Sequence, residues 1–250
     1  MSLSVGSRRF APHAWAVVLT ATLVAAFVSL GWWQIGRAHE KRAMMESFER
    51  GAGTSVSLDG ADIDELPRYQ HVSAAGQYEP ARQILLDNMP SSTGQPGYRV
   101  LTPLHRGGAE RILLVDRGWV PLGATRQRLP VVAVEAGPRT VAGRLDQLPV
   151  PGIRVGNAQA PGETGWPRVL NFPTQSDVEA ALGQPVESRV LLLDASSPDG
   201  YQRSWRPSVG FPPERHLGYA IQWFALAVTL VVIFVALSLK SATPEGSNGT

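Results

Sequence analysis

Two long stretches without a charged residue dominate the sequence. The first, Ala14 to Trp33, has 20 residues, and the second, Leu217 to Leu239, has 23. At 1.5 Å per residue, helices of these lengths reach about 30 and 34 Å, which is enough to cross the hydrocarbon core of a bilayer. A buried helix of that length in a soluble protein would almost always carry a charge. Both stretches are therefore predicted to be transmembrane helices.

Aromatic residues mark the ends of these stretches. Trp15 lies at the start of the first, and Trp32 and Trp33 lie at its end. Tyr219 and Trp223 lie near the start of the second. Trp and Tyr favour the headgroup level of a bilayer, so their positions support the predicted boundaries.

Two spans place both termini on one side of the membrane and residues 34–216 on the other. We interpret residues 1–13 as an N-terminal leader and residues 240–250 as a disordered tail, since the tail is polar and rich in small residues. The first span is long and ends in Gly-Trp-Trp rather than a small-residue cleavage site, which is not typical of a cleaved signal peptide. A bacterial inner membrane is the simplest location.

The charges beside the spans leave the orientation open. Arg8 and Arg9 precede the first span and Lys240 follows the second, which favours cytoplasmic termini. Arg37 and Arg215 flank the spans on the domain side and argue against it, as do Lys41 and Arg42. The positive-inside rule has little weight for so long a loop.

The sequence between the spans predicts a β-rich domain. Residues 35–50 lack helix breakers after Gly36 and are expected to continue the first helix until Gly51 and Gly53 end it. Short β-branched runs follow at spacings of about 12 residues, separated by Gly and Pro, which favours an antiparallel sheet closed toward a barrel. The predicted strands are 69–78, 82–88, 98–106, 111–120, 139–148, 168–172 and 188–194. One short helix is predicted at Gln175–Leu182, with Thr174 as its cap and Gly183 at its end.

Composition and motifs exclude several classes of function. The absence of cysteine removes disulfides, thiolate metal sites and covalent haem attachment. A net charge of +2 is too small to indicate a nucleic-acid partner. The sequence carries neither a GxSxG elbow nor a Gly-rich phosphate loop. We therefore predict that the protein is not an enzyme.

The two-span topology brings the domain-side ends of both spans to the same membrane face. Aromatic planes, one imidazole and one guanidinium would meet there if the two helix faces pack together. This combination suits a flat, apolar ligand with an anionic end, since an imidazole can bind haem iron and an arginine can pair with a propionate. The alternative is an ordinary interfacial belt, because Trp and Tyr favour this depth and arginine side chains reach out of the membrane. The residues concerned are His216, Arg37, Tyr219, Trp223, Trp33 and Gln34.

At these residues the sequence resembles the surfeit-locus-one (Surf/Shy) family of cytochrome c oxidase assembly proteins. Four blocks are similar to family motifs in order and cover nearly the whole chain. The blocks are GWWQIGR at 31–37 continuing to Lys41, GYRVLTPL at 97–104, LVDRGWVP at 114–121 and HLGYAIQWF at 216–224. In the third block, Gly118 is expected to permit a bulge or a close approach, and Trp119 to cover one end of the sheet.

The resemblance implies a role in the maturation of haem-copper oxidase, at or near the delivery of haem a to the large catalytic subunit. It implies that His216 is the haem iron ligand and haem a the cofactor. The large oxidase subunit is the implied partner, with the haem a synthesis machinery as a second one. The family layout also favours cytoplasmic termini, 1–13 and 240–250, and a periplasmic domain at 34–216.

Two other functions remain open from the sequence. The first is a membrane scaffold that binds no cofactor and stabilises an oxidase assembly intermediate. The second is a membrane-anchored porphyrin-modifying enzyme, which the lack of a catalytic constellation disfavours. A visible spectrum of the purified protein separates the haem-binding function from the cofactor-free scaffold.

Overall fold

The computed structural model describes residues 3–5, 8–123, 126, 128–150, 165–207 and 210–241. The chain forms two compact units. The β-rich unit comprises residues 46–207, and the helix-pair unit comprises the described residues before and after it. In chain order the elements are β1 (Leu3–Val5), β2 (Arg8–Phe10), α1 (Ala14–Arg50), β3 (Val56–Ser57), β4 (His71–Tyr78), a 3₁₀ helix (Pro80–Arg82), β5 (Ile84–Asp87), β6 (Gly97–His105), β7 (Ile112–Pro121), β8 (Pro138–Asp146), β9 (Arg168–Asn171), α2 (Gln175–Leu182), β10 (Val186–Leu193), α3 (Pro213–Ser238) and β11 (Leu239–Ser241).

Helix α1 contains the first uncharged stretch, and α3 contains the second except for its last residue, Leu239, which belongs to β11. Helix α1 continues past the first stretch and ends at Arg50, which confirms the expected extension through residues 35–50. Both helices are long and apolar enough to cross a membrane, yet only 6% and 11% of their most apolar windows are buried. Exposure of so much apolar surface is not typical of a soluble core helix and suggests membrane association.

Small residues let α1 and α3 pack closely. Gly31 is buried, and a Cβ atom added there would lie 2.7 Å from the ring of Phe224. Ala220 and Ala227 on α3 are only 3% and 5% exposed. Small side chains at a helix interface allow the two backbones to approach, and aromatic rings fill the space beside them. One such pair is Phe27 and Trp223, whose ring centroids are 5.6 Å apart.

Replacement of Gly31 by leucine is expected to separate the two helices. Because Phe224 occupies the space, the larger side chain overpacks the interface at a cost of about 1–3 kcal/mol. The chain has no cysteine, so a Phe27→Cys, Trp223→Cys pair can report helix proximity by reaction with a short cross-linker. The yield should fall in Gly31→Leu and persist in Gly36→Leu, because a Cβ at Gly36 meets no atom within 4 Å. Equal yields in both variants would contradict the packing.

The two ends of the helix-pair unit meet in a small sheet that the sequence did not predict. Strands β1, β2 and β11 pair in the order β1-β2-β11, and both pairings are antiparallel. Lys240 and Ser241 belong to β11, so the predicted disordered tail does not begin at residue 240. The rest of that predicted tail, residues 242–250, lies outside the described residues.

The β-rich unit contains an eight-stranded sheet in the order β3-β4-β8-β10-β7-β6-β5-β9. All seven predicted strands are present within a few residues of their expected bounds. The prediction of an antiparallel sheet was wrong in part, because β3–β4, β5–β9 and β7–β10 pair in parallel. Parallel strands need long crossover connections, and β8, β9 and α2 lie in the connection from β7 to β10. Strands β4 and β6 meet over only two residue pairs, so the predicted barrel is not closed along its length.

Helix α2 has the predicted bounds and the predicted caps. The Asp177 amide donates to Thr174 Oγ1 at 3.2 Å, and the Thr174 amide donates back to Asp177 Oδ2 at 2.8 Å. Gly183 ends the helix with a φ of 69°, a left-handed conformation that glycine adopts without strain. Val178 and Leu182 from this helix join the buried core beneath the sheet.

The third sequence block forms a bulge in β7, as expected. Gly118 has a φ of 110°, and a Cβ atom there would lie 2.7 Å from the Gln202 carbonyl oxygen. The Trp119 indole donates to the Met89 carbonyl at 2.8 Å. A Cβ at Gly97 would overlap the Trp119 ring, so the glycine of the second block makes room for the tryptophan of the third. These contacts support the expected packing role of the block.

Arg117 from the same block lies inside the β-rich unit and is only 2% exposed. Its Nε donates to the Asp199 carbonyl at 2.7 Å, and its Nη1 donates to Gln83 Oε1 at 2.9 Å. Its Nη2 donates to the Ala133 carbonyl at 3.0 Å. A buried guanidinium requires such partners, since an unpaired buried charge is very costly. Arg117 therefore ties the loops at residues 133 and 199 to the sheet.

Tyr78 lies beside this arginine with a hydroxyl that forms no hydrogen bond to any described residue. Burial raises the pKa of Tyr78 to about 12, against an ordinary value of 10.0, although Arg117 and Arg139 nearby lower it. The unfolded chain therefore ionises first as the pH rises. We expect the free energy of unfolding to be unaffected by this group below pH 10 and to fall between pH 10 and 12, by at most about 3 kcal/mol.

Tyr78→Phe is expected to remove the fall in the free energy of unfolding between pH 10 and 12. The variant should keep the wild-type stability at neutral pH, because no hydrogen bond is given up. Urea unfolding at pH 8 and pH 11 measures both effects. A Phe variant that lost more than about 1 kcal/mol at pH 8 would show that the hydroxyl has a partner.

Candidate functional site

The candidate site lies in the helix-pair unit, at the start of α3. Pro212 occupies the N-cap position without a side-chain capping bond, and Pro213 occupies the first helical position, where a fixed φ favours the helical conformation. The first turn thus brings His216 to the face of α3 that meets α1. The two atoms His216 Nδ1 and Gln34 Oε1 are 2.7 Å apart.

This hydrogen bond sets the protonation pattern of the imidazole. The carboxamide oxygen of Gln34 accepts only, so Nδ1 of a neutral His216 carries the proton and donates it. The lone pair then resides on Nε2, which forms no hydrogen bond within the described ranges of the chain. A histidine whose second nitrogen donates to a fixed acceptor is the usual arrangement of a metal-ligating histidine.

A cavity of about 460 Å³ lies next to this pair. Tyr219, Gln222, Trp223 and Leu226 line it from α3, and Gln34 lines it from α1. The α3 residues recur at helical spacing and therefore form one stripe. The volume is within the range of about 300–1,000 Å³ typical of ligand pockets. Gln34 joins the two features, since it lines the cavity and holds His216.

The other two predicted site residues are placed differently. The Arg37 guanidinium pairs with Glu40 at 2.7 Å, and its side chain is 44% exposed. Trp33 is 57% exposed and is not among the residues that line the cavity. Of the six predicted residues, the structure therefore brings four together: His216, Gln34, Tyr219 and Trp223.

Sequence reasoning missed one cation beside the histidine. The Arg215 guanidinium carbon lies 4.8 Å from the centre of the Phe211 ring. That ring is also 6.4 Å from the His216 imidazole. The signal in the sequence was simple adjacency, since Arg215 directly precedes His216. Leu226 was missed as well, although it follows Trp223 by three residues on the same stripe.

The two histidines of the β-rich unit pair with carboxylates within that unit. His71 Nε2 lies 2.8 Å from Asp194 Oδ2, and His105 Nε2 lies 2.8 Å from Glu79 Oε2. Burial raises the pKa of Glu79, but hydrogen bonds from Arg82 and His105 outweigh it and hold that pKa below its usual value. Both imidazoles serve as structural partners of carboxylates.

The described residues contain no group of three or more His, Asp or Glu side chains that could hold a bare metal ion. A haem differs in this respect, because the porphyrin supplies four nitrogen ligands and the protein adds only an axial ligand. A single imidazole, hydrogen-bonded to Gln34 next to a cavity lined by Tyr219, Trp223 and Leu226, fits that requirement.

Comparison with known proteins bears on these features. The profile described as "SURF1 family" matches residues 21–228, which include most of α1 and most of α3. The chain belongs to the SURF1 family. The matched segment contains all four sequence blocks, the β-rich unit and the His216–Gln34 pair.

Curated relatives in the SURF1 family are similar over nearly their full lengths. A SURF1-like protein of Rickettsia felis is 27% identical over 227 residues, which cover 88% of this chain and 93% of the relative. A SURF1-like protein of Monosiga brevicollis is 23% identical, with 98% and 95% covered. Surfeit locus protein 1 of Takifugu rubripes is 23% identical, with 86% and 94% covered.

Proposed function

We propose that this SURF1-family chain is a membrane-anchored assembly factor for cytochrome c oxidase, which holds haem a and assists its insertion into the large catalytic subunit. The observation that carries the proposal is the hydrogen bond from His216 Nδ1 to Gln34 Oε1, because it leaves the lone pair of a neutral imidazole on Nε2, where it can bind an iron atom. The resemblance of the four blocks to oxidase assembly proteins supports the identity of the partner.

The cavity residues suit a macrocycle. Tyr219 and Trp223 offer aromatic surface to a porphyrin face, and Leu226 adds apolar area. Propionates need a cation, and Arg215 is the nearest one in sequence to the ligand. Arg37 can serve the same purpose if it exchanges Glu40 for a propionate. The proposed activity is binding and delivery, without an enzymatic step.

A visible spectrum tests the haem proposal. The full chain is co-expressed with haem a synthesis enzymes, purified in detergent and compared with a preparation made without them. We expect haem a absorbance that co-elutes with the protein in a fixed ratio. Protein that is folded and pure but colourless under these conditions would contradict haem binding and leave family membership intact.

Deletion of the gene tests the oxidase role separately. We expect membranes of the deletion strain to lose haem a absorbance and oxidase turnover while other respiratory haem proteins persist. Unchanged oxidase turnover would contradict an assembly role, whatever the purified protein binds.

The second candidate function is a cofactor-free scaffold that stabilises an oxidase assembly intermediate. It is favoured by the existing Arg37–Glu40 ion pair and by the exposed Trp33, which are typical of an interfacial belt. The visible spectrum and the gene deletion together discriminate between haem binding and the scaffold. A purified protein that is colourless, combined with a gene deletion that still lowers oxidase turnover, supports the scaffold. A porphyrin-modifying enzyme is a third, weaker candidate, and a changed mass of the bound porphyrin would reveal it.

We propose that α1 and α3 cross the bacterial inner membrane with both termini in the cytoplasm and residues 34–216 in the periplasm. The large oxidase subunit, the haem a synthesis machinery and the lipid bilayer are the proposed partners, and nucleic acid is not one. Reporter fusions after Val150 and at the C-terminus test the orientation. A reporter active only in the cytoplasm after Val150 would reverse it.

A further inference from the structure

The β-rich unit contains a cavity of about 520 Å³ that shares no lining residue with the cavity of the candidate haem site. Its walls come from the turn after β5, from strands β6 and β7, and from residues 202–206, which follow β10. This last segment joins the sheet where the Trp119 amide donates to the Gln202 carbonyl at 2.8 Å and the Gln202 amide donates back at 3.2 Å. The cavity is therefore anchored to the sheet.

Two tryptophan rings in the wall are held in place by the main chain. The Trp119 indole donates to the Met89 carbonyl at 2.8 Å, and the Trp205 indole donates to the Leu193 carbonyl at 2.7 Å. Because each indole N–H is satisfied in this way, the two rings offer the cavity apolar surface. Side chains that are already ordered lose little conformational entropy when a ligand binds.

The turn after β5 forms an ordered third wall. Ser91 Oγ accepts from the amides of Thr93 and Gln95 at 3.2 and 3.0 Å. The Ser91 amide donates to the Gln95 carbonyl at 2.9 Å. The turn thus satisfies these polar groups by itself, and it needs no ligand to take this conformation.

Arg99 of β6 brings a fixed guanidinium to the cavity. Its Nη2 pairs with Asp116 of β7, which is only 1% exposed. Its guanidinium carbon lies 5.0 Å from the centre of the Trp205 ring, which is a cation–π contact. Its Nη1 forms no hydrogen bond with any residue that the structure describes. Arg99 is therefore held in one position and keeps a donor for a ligand.

Arg206 adds a second cation. Its side chain is exposed, and no hydrogen bond or ion pair joins it to another described part of the chain. The described residues that line the cavity include these two arginines and neither Asp nor Glu. Charge complementarity at the cavity therefore selects an anionic ligand.

The size of the cavity indicates a ligand larger than a single ion. Pockets of about 300–1,000 Å³ enclose molecules of drug size, so one carboxylate or phosphate would fill only a small part of it. The exposed side chains of Ser92, Gln202 and Ser204 also line the cavity. Their hydroxyl and carboxamide groups can pair with the N–H and C=O groups of a peptide. Trp and Arg, moreover, are the residue types that dominate binding at protein interfaces.

We propose that this cavity docks an acidic segment of a partner protein. A carboxylate of that segment pairs with Arg206 and with the Nη1 of Arg99, because arginine binds carboxylates through directed, charge-assisted hydrogen bonds. The residues beside the carboxylate pack on the rings of Trp119 and Trp205. The inference goes beyond the proposed function, since this interaction requires no haem.

Binding of defined peptides to the purified full chain tests the proposal. The chain is immobilised in detergent, and capped octapeptides of alternating Glu and Tyr, or of alternating Gln and Tyr, are compared by surface plasmon resonance. We expect the Glu-Tyr peptide to bind at least about tenfold more tightly, because the Gln-Tyr peptide lacks the charge-assisted hydrogen bonds to arginine. Inorganic phosphate at the same molar concentration should not displace it.

Matched variants separate the cavity from the net charge of the protein. Arg206→Gln should weaken the Glu-Tyr peptide about tenfold, whereas Arg128→Gln removes the same charge outside the cavity and should not. Ser204→Glu places a like charge in the wall and should abolish binding, whereas Ser196→Glu lies outside the lining and should not. All four side chains are exposed, so the variants should keep the wild-type urea midpoint.

Equal affinity for the two peptides would overturn the proposal, as would unchanged binding by Arg206→Gln or Ser204→Glu. Displacement of the peptide by equimolar phosphate would identify a site for small anions and overturn the assignment to a peptide. A protein that binds no haem a and still prefers the Glu-Tyr peptide would contradict haem binding alone. A protein that binds haem a without any peptide preference would overturn this inference alone.

Discussion

Replacing His216 by alanine is expected to abolish haem a absorbance of the purified protein while the chain still inserts and accumulates. The imidazole is the proposed iron ligand, and its hydrogen-bond partner Gln34 lines the adjacent cavity. Loss of the proposed ligand would remove the iron–nitrogen bond and leave the macrocycle with the contacts of the cavity residues. Visible spectra and the haem-to-protein ratio of purified wild type and variant measure the effect.

Other histidine variants provide the controls. His71→Ala and His105→Ala should keep the wild-type spectrum, because both side chains pair with carboxylates in the β-rich unit. Arg37→Ala should weaken haem retention only mildly. A His216→Ala protein that bound haem a with a wild-type spectrum would disprove the ligand assignment, and exposed His39 on α1 would be tested next.

A conservative change at Gln34 separates positioning from ligation. Gln34→Leu removes the acceptor for His216 Nδ1 and leaves the imidazole in place. We expect retained but weaker haem binding, by about 10- to 100-fold, with a shifted spectrum, since the second hydrogen bond orients a ligating histidine and raises its basicity. An unchanged affinity and spectrum would mean that the hydrogen bond does not orient the ligand.

Replacing Arg117 by methionine is expected to destabilise the β-rich unit by at least about 3 kcal/mol. The guanidinium donates to acceptors on three separate segments: Gln83 Oε1 inside the unit and the partly buried carbonyls of Asp199 and Ala133. Hydrogen bonds from a charged group contribute about 1.5–3 kcal/mol each, and methionine replaces none of them. Because domains are stable by only about 5–15 kcal/mol, this loss should lower the urea midpoint strongly.

Arg126→Met is the matched control for that change. Its side chain is 58% exposed and pairs with Asp87 at the surface. Exposed ion pairs contribute little, so we expect a change within about 0.5 kcal/mol. Unfolding of the full chain in detergent, followed by tryptophan fluorescence, compares the two variants. Similar midpoints for both would contradict the structural role of Arg117.

Local signals in the sequence predicted the elements whose determinants are local. The uncharged stretches, the helix from Gln175 to Leu182 and its Thr174 and Gly183 caps depend on residues a few positions apart, and the structure agrees with them. The strands were also predictable, because β-branched runs and Gly-Pro punctuation act within about ten residues. Strand pairing depends on distant partners, so the parallel pairs β7–β10 and β5–β9 could not be read from these patterns.

The candidate site was predictable to the same extent. Two spans fix which helix ends share a membrane face, and helical spacing then assigns Tyr219 and Trp223 to the face of His216. The Gln34 hydrogen bond depends on the rotation of α1 about its axis, which composition does not determine. The Arg37–Glu40 pair was foreseeable, since side chains three residues apart on a helix are neighbours. The terminal sheet of β1, β2 and β11 could not be predicted from the sequence, because its strands have only three residues each, too few to show an alternating pattern.

The terminal sheet joins α1 and α3 at one end through strands β2 and β11, and the His216–Gln34 contact lies about 30 Å along the two helices, at 1.5 Å per residue. A rotation of only 5° about the terminal sheet would separate the helices at that contact by roughly 2.6 Å, from the helix length that this rise gives. That displacement is enough to break the hydrogen bond between His216 and Gln34 while the terminal sheet scarcely moves. Release of a ligand held beside that contact would then need no unfolding of either helix.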